Sequence, residues 1–383
     1  GKDATVVNIG TASVVSTLTA GNANLTLDSV AAGNLSLTLR TALTGALTIT
    51  DSVGVTINNT SAAAAAAVAS TALDDTDTTS LTVAGTSGVA QTLGTGNISG
   101  SNALSTVTAS SSTASGTVTL GTIADADGLT SISLTASYAN ATIGAVGTDA
   151  ADGSADLLAS VSVSSSNNAT AELGAIEADT SSDDTTDLAM TVTVTSTSGS
   201  TSQILGIDNT YGSITATLSG TGTNKLGNAT TALEAVTATI NASAATGTNY
   251  INTTLVSGTA TVTLASGAGT DTIYHQEDNA GVVSVTNFQV GTGADVIAID
   301  ISGTGTLRNG DDSGNVSAGN SSINEIVAGV AETLVAGDTA VVITGAYYAT
   351  AALAEAAFES LVTFGAQFEA NDAIIVAWSD GSN

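Results

Sequence analysis

Two stretches of the chain place glycine and aspartate at a spacing that suits a hard cation. Residues 266–274 read SGAGTDTIY and residues 290–298 read VGTGADVIA, so Gly-x-Gly-x-Asp-x-Ile occurs twice. In a stack of parallel β-turns, the two glycines let the backbone turn tightly and direct its carbonyls inward. The aspartate supplies a carboxylate, and the isoleucine after it enters the core. Oxygen donors gathered in this way suit Ca²⁺ rather than Zn²⁺ or Cu²⁺. The expected side-chain ligands are Asp271 and Asp295, with carbonyls from the turns at Gly267, Gly269, Gly291 and Gly293; Asp300 is a further candidate. The competing reading is two glycine-rich hairpin turns, each with a solvated aspartate.

Other acid residues cluster at Asp74, Asp75 and Asp77, at Asp125 and Asp127, and at Asp179, Asp183, Asp184 and Asp187. Carboxylates placed together repel unless a cation lies between them, and solvated loops explain these clusters equally well. The segment DADG (125–128) opens like an EF-hand loop, but no glutamate stands at the twelfth position, so that motif fails. His275 is the only histidine, which excludes a multi-histidine metal site and makes any Ser-His-Asp triad depend on one residue. No Gly-x-Ser-x-Gly elbow occurs, and the single Trp, at 378, cannot build the aromatic platform typical of a glycosidase cleft. The chain is therefore expected not to be an enzyme.

The elements that must hold the two aspartates are strands. The chain has 383 residues with a net charge of −30, which disfavours nucleic acid and anionic membranes. Only 10% of the residues are charged and mean hydropathy is +0.34, so this acidity is not that of a disordered chain. Aromatics make up 3%, which favours thin repetitive layers over one thick core. Zero Pro suits extensive strand pairing, and zero Cys excludes disulfides and thiolate metal sites. No leader-like segment and no apolar run long enough to span a bilayer is present, and membrane insertion is not expected. The abrupt first and last segments, GKDATVVNIG and WSDGSN, are expected to belong to a longer or processed polypeptide.

Repetition dominates the organisation. Short strands such as NLTLDS (from Asn24) and NLSLTL (from Asn34) give way to a longer unit: an alternating strand, a polar turn and a second apolar patch. The strands begin at Ile132, Val161, Val192, Ile214, Val236 and Val262, and the patches at Ile143, Leu173, Leu205 and Leu226. A two-strand unit of this size cannot bury its apolar side alone, so neighbours must stack. The expected class is all-β, a repetitive β-solenoid, with tandem β-sandwiches as the rival. Three regions are expected: short-strand repeats over 1–120, a solenoid-like region over 121–258, and a cation-binding region over 259–383. SAAAAAAVAS (61–70) fits either a short helix or an alanine strand. TAALAEAAFESLV (350–362) predicts a helix capped by Thr350, with Leu353, Ala354, Ala357, Phe358, Leu361 and Val362 on one face.

From about Thr259 onward, the segments GAGTDTI, VTNFQVGTGADVIAIDIS, the helix and NDAIIVAWSDGSN resemble the ends of bacterial RTX-type secreted proteins. The likeness is to surface-layer proteins and to the large β-strand-repeat proteins. It covers about a third of the chain, and the chain departs from the pattern in lacking tandem nonapeptides. The resemblance implies bound Ca²⁺ that triggers folding, export through a type I channel, and an extracellular or cell-surface location. The function expected on this basis is a structural protein that assembles with copies of itself as a surface layer or sheath. A filament or adhesin stalk, and the non-catalytic part of a secreted RTX enzyme or toxin, are the alternatives. Cell-surface polysaccharide is a further possible partner.

Overall fold

The computed structural model describes residues 4–6, 13–16, 24–39, 45–59, 66–73, 76–85, 93–99, 101–112, 116–124, 126–148, 155–178, 188–228, 231–267, 269–276, 282–289, 295–300, 322–334, 338–364 and 375–379. They fall into two units, 1–274 with 281–297, and 275–280 with 298–383.

The first unit is a parallel β-solenoid. Alternation of apolar and hydroxylated residues makes each segment a strand with one face to bury, and each strand lies beside its equivalent one coil later. On the longest face Val107 pairs with Ile132, Ile132 with Val161, and Val161 with Val192, so the apolar side chains stack into an unbroken interior column. A second face stacks Ile143, Leu173, Ile204 and Leu226. A third stacks Ile123, Val146, Ile176, Ile207 and Leu233. All of these residues are buried. Every described pairing is parallel, which excludes the rival sandwiches, whose sheets are antiparallel. Pairing passes positions 120 and 258 without a break: 118–120 continues to 141–143, and 255–263 to 282–286.

The glycines of the second apolar patches form the corner between the second and third faces. A Cβ on Gly144 would lie 2.8 Å from Gly121 C, and one on Gly174 2.6 Å from Ala145 N, so successive coils touch backbone to backbone there. The patch at Leu205 is offset from its sequence match. Ile204, not Leu205, takes the level of Leu173, because Gly206 pairs with Ala175 and Leu205 falls at the corner. Of the stretch 61–70, Ala66–Ala67 and the start of Ser70–Ala72 are strand, and 61–65 lie outside the described residues.

The second unit has a three-stranded parallel sheet, in the order Ser322–Val327, Asp338–Tyr347 and Ile375–Ser379, and a pair formed by Glu332–Leu334 and Val362–Phe364. The predicted helix spans Ala351–Leu361, and the Thr350 hydroxyl accepts from Leu353 N at 3.3 Å. Phe358 joins Ile326, Leu334, Val341 and Ile343 in a small core, and Ala354 is also buried. The buried stripe is narrower than expected: Leu353 is 55% exposed, and Val362 has already turned into strand. Among the described residues, no helix is long and apolar enough to cross a membrane.

Candidate metal centre

Asp271 lies where the coil enters its second face. The neighbouring coils have Gly222-Thr223-Asn224-Lys225-Leu226 and Gly247-Thr248-Asn249-Tyr250-Ile251 at the place of Gly269-Thr270-Asp271-Thr272-Ile273. Pairing of Ser202 with Asn224, Asn224 with Asn249, and Tyr250 with Thr272 puts Ser202, Asn224, Asn249 and Asp271 in one column. All four are buried, Asp271 at 1% exposure. The shared pattern is Gly-Thr-Asn/Asp-x-(Leu/Ile), and GADVI (293–297) continues it with Ala294 in place of Thr.

A buried amide is stable only when hydrogen-bonded, and stacking supplies the partners. Ser196 Oγ donates to Asn224 Oδ1 at 2.8 Å. Asn224 Nδ2 donates to Ser219 O at 3.2 Å and to Asn249 Oδ1 at 3.0 Å. Asn249 Nδ2 donates in turn to Asp271 Oδ1 at 2.8 Å, and Asn249 N donates to the same oxygen at 3.0 Å. The pattern then passes to the last acid: Asp271 N donates to Asp295 Oδ1 at 3.0 Å, and Gln289 N to Asp295 Oδ2 at 2.8 Å.

The amide chain breaks at Asp271. Each asparagine accepts with Oδ1 and passes a donor onward with Nδ2, but the second carboxylate oxygen has no proton to pass when ionised. Asp271 Oδ2 is enclosed and has no hydrogen-bond partner. Burial raises the Asp271 pKa above the ordinary carboxylate value; the two bonds from Asn249 oppose this, and the neighbouring Asp295 charge adds to it. A proton, a cation or a hydrogen-bonding water satisfies such an oxygen.

The structure brings Asp271 and Asp295 together on successive coils. Gly269, with φ of 93°, packs on the preceding coil so closely that a Cβ would lie 2.2 Å from Gly247 O. Gly267 also has positive φ, 77°, but its Cβ position is open. Gly291 and Gly293 lie outside the described residues. Asp300 ends the strand Val296–Asp300, and its side chain lies outside them too. Among the described residues no group of three or more His, Cys, Asp and Glu stands close enough to hold a metal. The fit to Ca²⁺ therefore rests on the orphaned Asp271 oxygen and the adjacent Asp295 carboxylate.

Sequence reading missed Asn224 and Asn249. The signal is there, because GTN recurs at 222–224 and 247–249 in line with GTD at 269–271, but an uncharged Asn in a Gly-Thr turn carries no mark of a ligand. It also missed an outward acidic row on the third face: Glu177 pairs with Asp208, and Asp208 with Glu234. There burial, and then the Asp208 charge, raise the Glu234 pKa, while the Thr210 hydroxyl donates to Asp208 Oδ1 at 2.7 Å. Of the acid clusters singled out above, Asp77 and Asp127 sit in turns, while Asp74, Asp75, Asp125 and 179–187 lie outside the described residues. His275 is partly buried, its Nδ1 is enclosed without a partner, and burial lowers its pKa. No protein-family model, no curated protein and no solved structure matches the chain.

Proposed function

We propose that this chain is a secreted structural protein that assembles with copies of itself into a bacterial surface layer or sheath, without catalytic activity, and that Ca²⁺ stabilises it. The observation that carries this reading is the open parallel ladder. A solenoid does not close on itself, and a terminal strand offers unpaired main-chain groups to another chain. Among the described residues, Ala4–Val6 and Ser13–Ser16 pair with Leu25–Leu39, and Val282–Thr286 pairs with Leu255–Thr263. The scarcity of the aromatic and arginine anchors on which most interfaces depend supports assembly through strand edges and small-residue faces.

Ca²⁺ enters this reading through charge. At −30, copies repel, and a divalent cation at Asp271 and Asp295 neutralises part of that charge while supplying the partner that Asp271 Oδ2 lacks. Export through a type I channel to the cell surface follows from the resemblance to RTX-type proteins. The test is electron microscopy of the purified chain with Ca²⁺ and with chelator. A Ca²⁺-dependent two-dimensional lattice is the expected result. Fibres would convert the reading to a filament or stalk, and dispersed particles under both conditions would overturn it.

A further inference from the structure

Outward residues on the longest face of the solenoid form continuous rows along its axis. One row runs from Ser36 through Thr108, Ser162 and Thr217 to Thr286, with every step fixed by strand register. A parallel row two residues earlier runs from Asn34 to Ser284 through the same pairings. Both consist almost wholly of Ser and Thr, and neither contains a single Asp, Glu, Lys or Arg, in a chain of net charge −30. Among the described residues, Glu172 and Lys225 lie on the second face, Glu177, Asp208 and Glu234 on the third, and Asp127 and Asp156 in turns.

We infer that this hydroxylated face is the lateral contact between copies of this chain. The inference rests on the assembly proposed above and names its surface. Charge is the first argument. Two such acidic bodies can approach across this face without pressing carboxylates together, whereas the third face, with Glu177, Asp208 and Glu234, brings like charges into contact. Area is the second. About ten inter-strand steps of ~4.8 Å and strands of about six residues at ~3.3 Å give a face of roughly 50 by 20 Å, or ~1,000 Å². A standard stable interface needs about 800 Å² from each partner. Periodicity is the third. A second copy repeats at the same inter-strand spacing, so hydroxyls and threonine methyls that interdigitate at one level do so at every level. Short side chains also lose little rotamer freedom on contact.

The test places two carboxylates on the face, Thr193→Asp with Thr217→Asp, and two on the second face as a control, Thr119→Asp with Thr142→Asp. Each pair occupies adjacent coils in register. Assembly of the full chain in Ca²⁺ is followed by sedimentation and electron microscopy, with circular dichroism to check the strand signature. A rise of at least about tenfold in critical concentration for the face variant alone supports the inference, since a factor of ten is 1.4 kcal/mol. Wild-type assembly by the face variant, or equal loss in both variants, overturns it and leaves the assembly reading standing. A wild-type chain that never assembles overturns both. If that monomer instead sediments with insoluble cellulose and the face variant does not, the face takes polysaccharide and the inference is wrong. Should the face variant unfold, a single thiol decides: the chain has no Cys, so Thr217→Cys is expected to form an oxidised dimer in the assembly and Thr142→Cys is not. The reverse pattern overturns the inference.

Discussion

Asn249 and Asp271 occupy the same place on successive coils, are equally enclosed, and differ by one atom of side chain, yet they pose opposite problems. The asparagine is self-sufficient: it accepts from Asn224 Nδ2 and donates to Asp271 Oδ1. The aspartate accepts the same bonds and has nothing to give, so Oδ2 is left without a partner. The amide half of the column is a structural device that needs only the fold. The acid half needs a water, a proton or an ion as its partner, so its stability answers to conditions outside the chain. The solenoid thus has a constitutive stretch and a conditional one, joined through the Asn249–Asp271 bond.

The largest effect is expected from breaking the amide half. Asn249→Leu removes the acceptor of Asn224 Nδ2 and the side-chain donor to Asp271 Oδ1, both in the interior. At about 1–3 kcal/mol for each buried group left short of a bond, the loss should be roughly 2–5 kcal/mol in urea unfolding. A loss below about 1 kcal/mol would show that the column does not stabilise the coil.

Asp271→Asn sharpens the comparison, because it extends the amide chain by one coil. In chelator the variant should melt higher than the wild type. Wild type should gain about 2.7 kcal/mol at a Ca²⁺ concentration of 100 Kd, and the variant should lose that gain. An undiminished Ca²⁺ response in the variant would remove Asp271 from the metal centre.

The pH dependence follows from the same residue. Burial raises the folded-state pKa of Asp271 above its unfolded value of 3.8, so the folded chain holds this proton more tightly. The contribution of this group is fully present below pH 3.8 and is lost as pH rises through the folded value. In chelator, the wild type should therefore lose stability relative to Asp271→Asn as pH rises above about 4, and Ca²⁺ should cancel the difference at neutral pH. Parallel stability curves for the two chains in chelator would refute this.

The smallest effect belongs to the outward acidic row. Glu234→Gln relieves repulsion from Asp208 and the partial burial of a charge, but Glu234 is half-buried on an outward row that solvent and salt still reach. The gain should stay below about 0.5 kcal/mol and shrink with salt. A gain comparable to that from Asp271→Asn would erase the distinction between interior and surface acids.

Much of this molecule can be read along the chain. Alternation of Val, Ile and Leu with Thr and Ser states a half-buried strand wherever it occurs, as in VTVTST from Val192 and ITATLS from Ile214, which pair in the structure. The recurrence of two-strand units pointed to stacking, and the helix after Thr350 was legible from its 3-4-7 spacing and its cap. Asp271 and Asp295 stood out because each follows the same Gly-x-Gly-x spacing. The asparagines did not, because Asn is ordinary in a turn and only enclosure makes it a ladder. The Leu205 offset and the exposed Leu353 were illegible for a similar reason: each depends on which neighbour lies alongside, a coil or a strand away.

The sequence by itself therefore determined the period-two strands, the coil-to-coil repetition, the acidity and the absence of metal-binding thiols, since each is a property of composition or of near neighbours. Tertiary structure decided the register, and register decided the rest. Which polar residue is buried, which oxygen lacks a partner, and which outward residues align into an uncharged face are set by contacts some 22 to 31 residues apart. Spacings of that length vary from coil to coil in the sequence, whereas stacked main-chain hydrogen bonds allow only one alignment that keeps every apolar side chain inside.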